Sequence, residues 1–316
     1  MNAPASPVIT VTLNPAIDET ITLDALHPGQ VHRARAVQFD AGGKGVMVAG
    51  CLADWGQAVI ATGLLGEDNA DTFSALFATK GIVDAFCRYP GLTRTNVKLV
   101  DATDTTDINL PGAEVPVERL PAVRDAVLQH ADAESLVVLA GSLPAGFADS
   151  TYADLVATLS ARGVRTVLDT SGLPLHAALA ANRRPSVIKP NRAELEAWAN
   201  RALPSTTELV ATARALLGRE LEMVVVSLGA DGALFITADA ALHAGLPAIR
   251  PASTVGAGDA MVAGIVAALS NGAGLEGVAR LGSAFAYSKL GQIGPNLGPR
   301  PRVDDLAAQV RIQPVR

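Results

Sequence analysis

Lysine is nearly missing from this chain of 316 residues: Lys44, Lys80, Lys98, Lys189 and Lys289 are the whole set among 25 basic residues. Three of them fall in the motifs described below. Cysteine is scarcer still. Cys51 and Cys87 have neither CxxC spacing nor a nearby histidine cluster, which excludes a disulfide framework or a cysteine metal site and leaves two apolar side chains suited to a reducing compartment. An excess of positive charge is lacking as well. The net charge of -6 and a pI near 5.4 argue against a nucleic-acid or anionic-membrane surface, so the expected partners are small molecules. Met1 to Pro15 shows no basic segment followed by an apolar one, and no later stretch supplies the roughly 18 uncharged residues of a transmembrane helix. A cytoplasmic enzyme with no membrane partner is expected.

Apolar residues make up 49% of the chain, enough for a large α/β core. Runs rich in Val, Ile, Leu and Thr alternate with stretches of helical period, the pattern of βα units around a mostly parallel sheet. The spacing predicts buried strands at Val8 to Leu13, Val59 to Leu64, Leu136 to Ala140, Thr166 to Asp169, Val187 to Lys189 and Met223 to Ser227. Loops at the carboxyl ends of such strands form the ligand crevice. Here they carry Asn14 to Asp18, Gly141-Ser142-Leu-Pro144, Asp169 to Gly172, Lys189-Pro-Asn191 and Ser227-Leu-Gly229. Two segments, about 20–39 and 94–112, break the rhythm with half-polar strand-like pieces. They are read as antiparallel strands added to one edge of a single domain spanning 1–316, making a lid. Period-two geometry puts Arg94, Asn96 and Lys98 on one strand face, a phosphate grip or, alternatively, the charged face of an exposed edge strand.

Two glycine-rich turns run into helical stretches. In Ser253-Thr254-Val-Gly256-Ala257-Gly258-Asp259, the glycines allow close backbone approach, and the helix behind aims amides and its positive end at a ligand. That is an anion site. The same field is expected to keep Asp259 ionised and able to take a proton, although Asp is also a favoured N-cap residue; the motif alone leaves both readings open. The second turn, Asp40-Ala-Gly42-Gly43-Lys44-Gly45, is not a Walker A loop, and neither turn completes a dinucleotide fingerprint. With Asp18 upstream at a strand end, polar contact to a sugar is the reading for Gly42, Gly43 and Lys44.

Gly42-Gly-Lys-Gly45, Lys189-Pro-Asn-Arg-Ala-Glu-Leu195, Ser227-Leu-Gly-Ala-Asp-Gly-Ala233 and Ser253-Thr-Val-Gly-Ala-Gly-Asp259, in this order, resemble the ribokinase-like carbohydrate kinases of the PfkB family. The resemblance runs from Leu13 to about Gly291. It implies a three-layer α/β/α fold with a mostly parallel central sheet and a small β-strand lid. Thr12 to Asp18, Arg94-Thr-Asn-Val-Lys98 and Thr106-Asp-Ile-Asn109 are most similar to members that transfer the γ-phosphate of ATP to O6 of fructose 1-phosphate. Kinases of tagatose 6-phosphate or fructose 6-phosphate, and a non-catalytic sugar-phosphate-binding regulator, are the alternatives. By resemblance Asp259 is the catalytic base, and Gly256, Ala257 and Gly258 form the anion hole. Asp18, Gly42, Gly43, Lys44, Arg94, Asn96, Lys98, Asn109 and Ser142 belong to the sugar phosphate, and Lys189, Asn191, Ser227, Gly229, Gly232 and Thr254 to ATP. Asn191 and Glu194 are associated with Mg²⁺ and its water shell. Family lids often pair into homodimers. The family commonly carries Asn where this chain has Met47, so one polar contact to the sugar is missing. Purine-flanking residues are expected near Ser288 and Lys289.

Overall fold

The computed structural model describes residues 6–315 except 104, 111–113, 248–254 and 293. The predicted β-branched runs form the parallel heart of one large sheet, ordered Val59–Gly66, Val8–Thr12, Leu136–Ala140, Arg165–Asp169, Val187–Ile188 and Met223–Ser227. Every residue of the first three is buried, as parallel strands covered on both faces require. Ala233–Ile236, Ala241–Gly245 and Arg311–Pro314 extend one side by antiparallel pairing.

Strand alternation divides the core in two. Val8, Val138 and Val225 join the helices Lys44–Trp55, Asp71–Lys80, Ala257–Ser270, Leu275–Lys289 and Arg300–Gln309 on one side. Ile9, Val137 and Val224 join Leu120–His130, Thr151–Ser160, Gly172–Ala180, Arg192–Ala199 and Thr206–Leu216 on the other. The three-layer expectation therefore holds. Among the described residues, no helix is long and apolar enough to cross a membrane.

The lid differs from its prediction in detail. Ala36–Gly42, Ala16–Thr22, Thr95–Val100 and Thr105–Asn109 make a separate four-stranded sheet in that order, instead of extending the edge of the large one. Its middle pair, Ala16–Thr22 with Thr95–Val100, is parallel. The cause is connectivity: Ala16–Thr22 continues from Val8–Thr12, and Thr95–Val100 continues from Cys87–Tyr89. Both of those strands pair in parallel with Val59–Gly66, so the continuations leave in the same direction. Within the 20–39 segment, the second strand begins only at Ala36 and runs on to Gly42.

Register sorts the lid side chains into two faces. Asp18 stands beside Asp40 and Asn96, Asn96 beside Asn109, and Lys98 beside Asp107, forming a polar face. The opposite face carries Val37, Phe39, Val97, Leu99 and Ile108. Phe39 is 54% exposed, so the usual arrangement of apolar side in and polar side out is reversed.

Candidate active site

The helix Ala257–Ser270 starts between two cavities. Its N-cap is Gly256, at φ 79, a left-handed conformation that glycine adopts without the Cβ penalty. A Cβ at this position would lie 2.5 Å from Met47 Cε and 3.1 Å from Lys289 Cε, the ends of two flexible side chains, so it is the backbone conformation that calls for glycine. With Gly256 as the N-cap, Asp259 is the third helical residue. The N-cap reading of Asp259 is therefore set aside.

One cavity, of about 300 Å³, is polar. Asn14, Asp18, Gly43, Lys44, Arg94 and Asp259 are among the residues that line it, together with Asn96, Lys98, Asn109 and Ser142. The lid's polar face forms one wall. Lys98 Nζ donates to Asp18 Oδ2 at 2.7 Å, and Asn96 Nδ2 to Asp18 Oδ1 at 3.2 Å. Arg94 donates through Nη1 to Asn96 Oδ1 at 3.0 Å, while its buried Nε has no hydrogen-bond partner. A guanidinium held by neutral acceptors and left short of partners is suited to an incoming anion. The edge-strand alternative for this segment fails, because Thr95–Val100 has a neighbour on each side. Gly42 lets Asp18 sit close: a Cβ there would be 2.9 Å from the carboxyl carbon.

The second cavity, of about 400 Å³, is mostly apolar. Ser227, Gly229 and Gly232 line it, along with Ala257 and Gly258. Its remaining wall was missed by sequence reasoning: Ala230, Leu246, Pro247, Met261, Ala286, Tyr287 and Leu290. Tyr287 and Leu290 flank the predicted purine positions. Ser288 instead accepts the Gly298 amide at 3.1 Å, and Lys289 runs beneath Gly256. Thr254 lies outside the described residues.

Asp169 ties the cavities together and was also missed as a site residue. Buried to 2% exposure, it holds Lys44 from the polar cavity through Oδ2 and Lys189 through Oδ1, both at 3.3 Å. A Cβ on Gly258 would be 3.4 Å from Lys189 Nζ, so this ammonium sits against the glycine turn. The available signal was a charged residue closing a buried strand. Four of the five lysines thus gather here, while Lys80 pairs with Asp54.

Electrostatics set how readily Asp259 takes a proton. Burial first, and Asp169 second, push Asp259 up to about 6 against the pull of Lys44, Lys189 and Lys289. The helix-end field does not hold this carboxyl low. At neutral pH it remains ionised, with a pKa close to the working range of a general base. Burial works to lower the pKa of Lys44, but the carboxylates of Asp169, Asp259 and Glu194 outweigh it and leave the value raised. Burial draws Arg94 down despite Asp18.

Asn191 and Glu194 have an immediate structural role. Asn191 is the N-cap of Arg192–Ala199: its side chain accepts the Glu194 amide, and Glu194 Oε2 accepts the Asn191 amide, both at 2.9 Å. This is a complete capping box. It uses few of the roughly four acceptor sites of a carboxylate, and among the described residues no group of three or more His, Cys, Asp or Glu forms a metal cage. The donor set fits a hard cation that keeps its waters and takes its remaining ligands from a substrate. Met47 is 6% exposed. It lines the polar cavity while its methyl buttresses Gly256, so its contribution to the wall is apolar packing.

The pattern described as "pfkB family carbohydrate kinase" matches residues 11–301. The chain is 53% identical over 287 residues to a 1-phosphofructokinase of Xanthomonas campestris, covering 89% of this chain and 90% of that one. It is 37% identical over 309 residues to 1-phosphofructokinase of Escherichia coli, covering 97% and 98%. Among solved structures, phosphofructokinase-2 from Escherichia coli in complex with fructose-6-phosphate superposes with a TM-score of 0.88 at 27% identity, covering 96% of this chain and 98% of that one.

Proposed function

The chain belongs to the pfkB family of carbohydrate kinases, and we propose from that premise that it is a 1-phosphofructokinase, transferring the γ-phosphate of ATP to O6 of fructose 1-phosphate. The observation that carries this reading is the position of Asp259 at the meeting of an apolar cavity and a polar one, beside a glycine turn at a helix start. ATP lies in the apolar cavity, its base against Leu246, Tyr287 and Leu290 and its phosphates toward Ala257 and Gly258. The sugar phosphate lies in the polar cavity. Asp18 accepts hydrogen bonds from its hydroxyls, while Arg94 and Lys44 hold its phosphate.

Asp259 accepts the proton of the O6 hydroxyl as that oxygen bonds to the γ-phosphorus and the bond to the ADP oxygen breaks. The amides of the 256–258 turn, with Lys189 against them, stabilise the negative charge spread over the transferring group. Glu194 and Asn191 would hold the water shell of a divalent cation, which would supply neutralising charge to the phosphates. Asp169 fixes Lys44 and Lys189 relative to one another, so the two substrates are aligned by one buried carboxylate.

The exposed apolar face of the lid supports a homodimer, because covering Val37, Phe39 and Ile108 with a second copy removes an apolar patch from water. The decisive assay for the reaction uses purified protein, ATP and Mg²⁺ with fructose 1-phosphate, fructose 6-phosphate, tagatose 6-phosphate and fructose. Fastest turnover, by kcat/KM, on fructose 1-phosphate is expected. A preference for either 6-phosphate would move the assignment within the family, and no turnover on any sugar would return the chain to the regulator alternative.

A further inference from the structure

Beyond its pull on Asp259, Lys289 has no role in the chemistry described above, yet it is the most deeply buried lysine among the described residues, 1% exposed. It ends the helix Leu275–Lys289, and its side chain runs under the glycine turn. A Cβ on Gly256 would stand 3.1 Å from its Cε and 3.9 Å from its Nζ. It lines neither cavity, so the ammonium lies behind the turn and not in front of it. The carboxylates that act on it, Asp259 and Asp40, do so through space, and among the described residues neither forms an ion pair with it. Among the described residues, Lys289 donates to the Gln292 carbonyl oxygen at 2.9 Å and forms no ion pair.

Such placement is expensive. A buried ammonium without a paired counter-ion costs free energy that an apolar side chain in the same space would not. Burial accordingly lowers its pKa; Cys51, Asp259 and Asp40 raise it in part through space, while Lys98 lowers it further. Met47 already shows that an apolar side chain packs well on Gly256. A charge is retained where packing alone does not require one.

We propose that Lys289 is a built-in cation behind the anion-binding turn, whose missing counter-charge arrives as the transferring phosphoryl group on the opposite side of Gly256. It is a positioning residue: it touches the turn, not the reacting atoms, and acts by making the turn more attractive to negative charge. The inference rests on the kinase reading above for the identity of the anion. Its physical content is that positive potential at the turn comes partly from this side chain, in a setting too dry for water to screen it fully.

Lys289→Met keeps most of the length and removes the charge. Its kcat should fall on the order of 10²-fold, the scale of losing one preorganised stabiliser of transition-state charge, with KM values for ATP and sugar within about threefold and Tm unchanged or higher. Lys289→Ala opens a cavity, so ammonium or methylammonium ions should raise its kcat saturably while leaving the wild type and the Met variant unaffected. A packing role predicts the reverse: the Met variant active, the Ala variant impaired, and no rescue. Inorganic phosphate gives a readout independent of turnover, since it should raise the Tm of the wild type more than that of Lys289→Met. A wild type inactive on every sugar overturns the kinase reading. An active wild type matched within threefold by a folded Lys289→Met, with equal phosphate stabilisation, overturns the role of Lys289.

Discussion

The two cavities that meet at Gly256 to Asp259 are built by opposite means. The polar one is walled by charged and amide side chains that hold one another: Lys98 and Asn96 on Asp18, and Arg94 on Asn96. The apolar one is walled by backbone and by residues of no chemical distinction, such as Ala230, Pro247 and Ala286. Recognition of a small charged sugar phosphate needs directional groups, whereas a flat base needs a dry slot of the right width. The contrast predicts that single substitutions on the two sides affect different substrates, and only residues at the junction affect chemistry without affecting either.

The junction gives the largest effect. Asp259→Asn should lower kcat by about 10²- to 10⁴-fold, with ATP and sugar affinities preserved in calorimetry. Retained activity would make the junction a mere boundary. In the wild type, kcat/KM should fall as pH drops below about 6, where Asp259 becomes protonated. Stability runs the other way. Folding raises this carboxyl above its unfolded value, so the folded chain binds the extra proton, and the cost of ionisation fades as pH falls through 6. The Asn variant should therefore melt higher than the wild type at pH 8, by a margin that shrinks in acid.

On the polar side, Arg94→Ala should weaken fructose 1-phosphate by about ten- to a hundredfold, taking about 1.5–3 kcal/mol for a charged hydrogen bond. Fructose and ATP should barely respond. Equal loss for fructose would mean that the lid closes the cavity without reading the phosphate, and the contrast between the walls would lose its chemical basis.

Glu194→Gln separates two explanations for one pair of residues. Glutamine also completes a capping box, so Tm should hold while the Mg²⁺ concentration for half-maximal rate rises, on the order of tenfold as for outer-shell ligands elsewhere. An unchanged Mg²⁺ titration would leave Asn191 and Glu194 as a helix cap alone.

The same contrast decides what could be read in advance. The parallel strands were legible because every residue of a strand such as Leu136–Ala140 is buried and apolar. The polar cavity was legible because Asp18, Lys44 and Arg94 declare their chemistry as residue types. The lid's parallel central pair was not, since strand direction depends on where each chain segment leaves the large sheet. Lys289 lay in a segment read only as purine-flanking, and its role depends on which way one side chain turns. The raised pKa of Asp259 depended first on burial and then on Asp169, 90 residues earlier, reaching the same point through the fold.

The smallest expected effect tests the wall that sequence could not reveal. Leu246 stands in the loop after Ala241–Gly245 and lines the apolar cavity together with the start of Ala257–Ser270. It touches no charged group of the polar cavity, and nothing about its type marks it as a site residue. If the slot holds a purine by exclusion of water, Leu246→Ala forfeits one or two methylene equivalents of contact, about 0.8 kcal/mol each. KM for ATP should then rise about four- to fifteenfold, with kcat at saturating ATP and KM for fructose 1-phosphate unchanged. Adenine analogues lacking the exocyclic amine should suffer the same factor, because the lost contact is apolar and reads shape, not hydrogen bonds. A variant whose sugar KM moved as much as its ATP KM would show that the two cavities are one mechanical unit, and their separate construction would have no separate consequence.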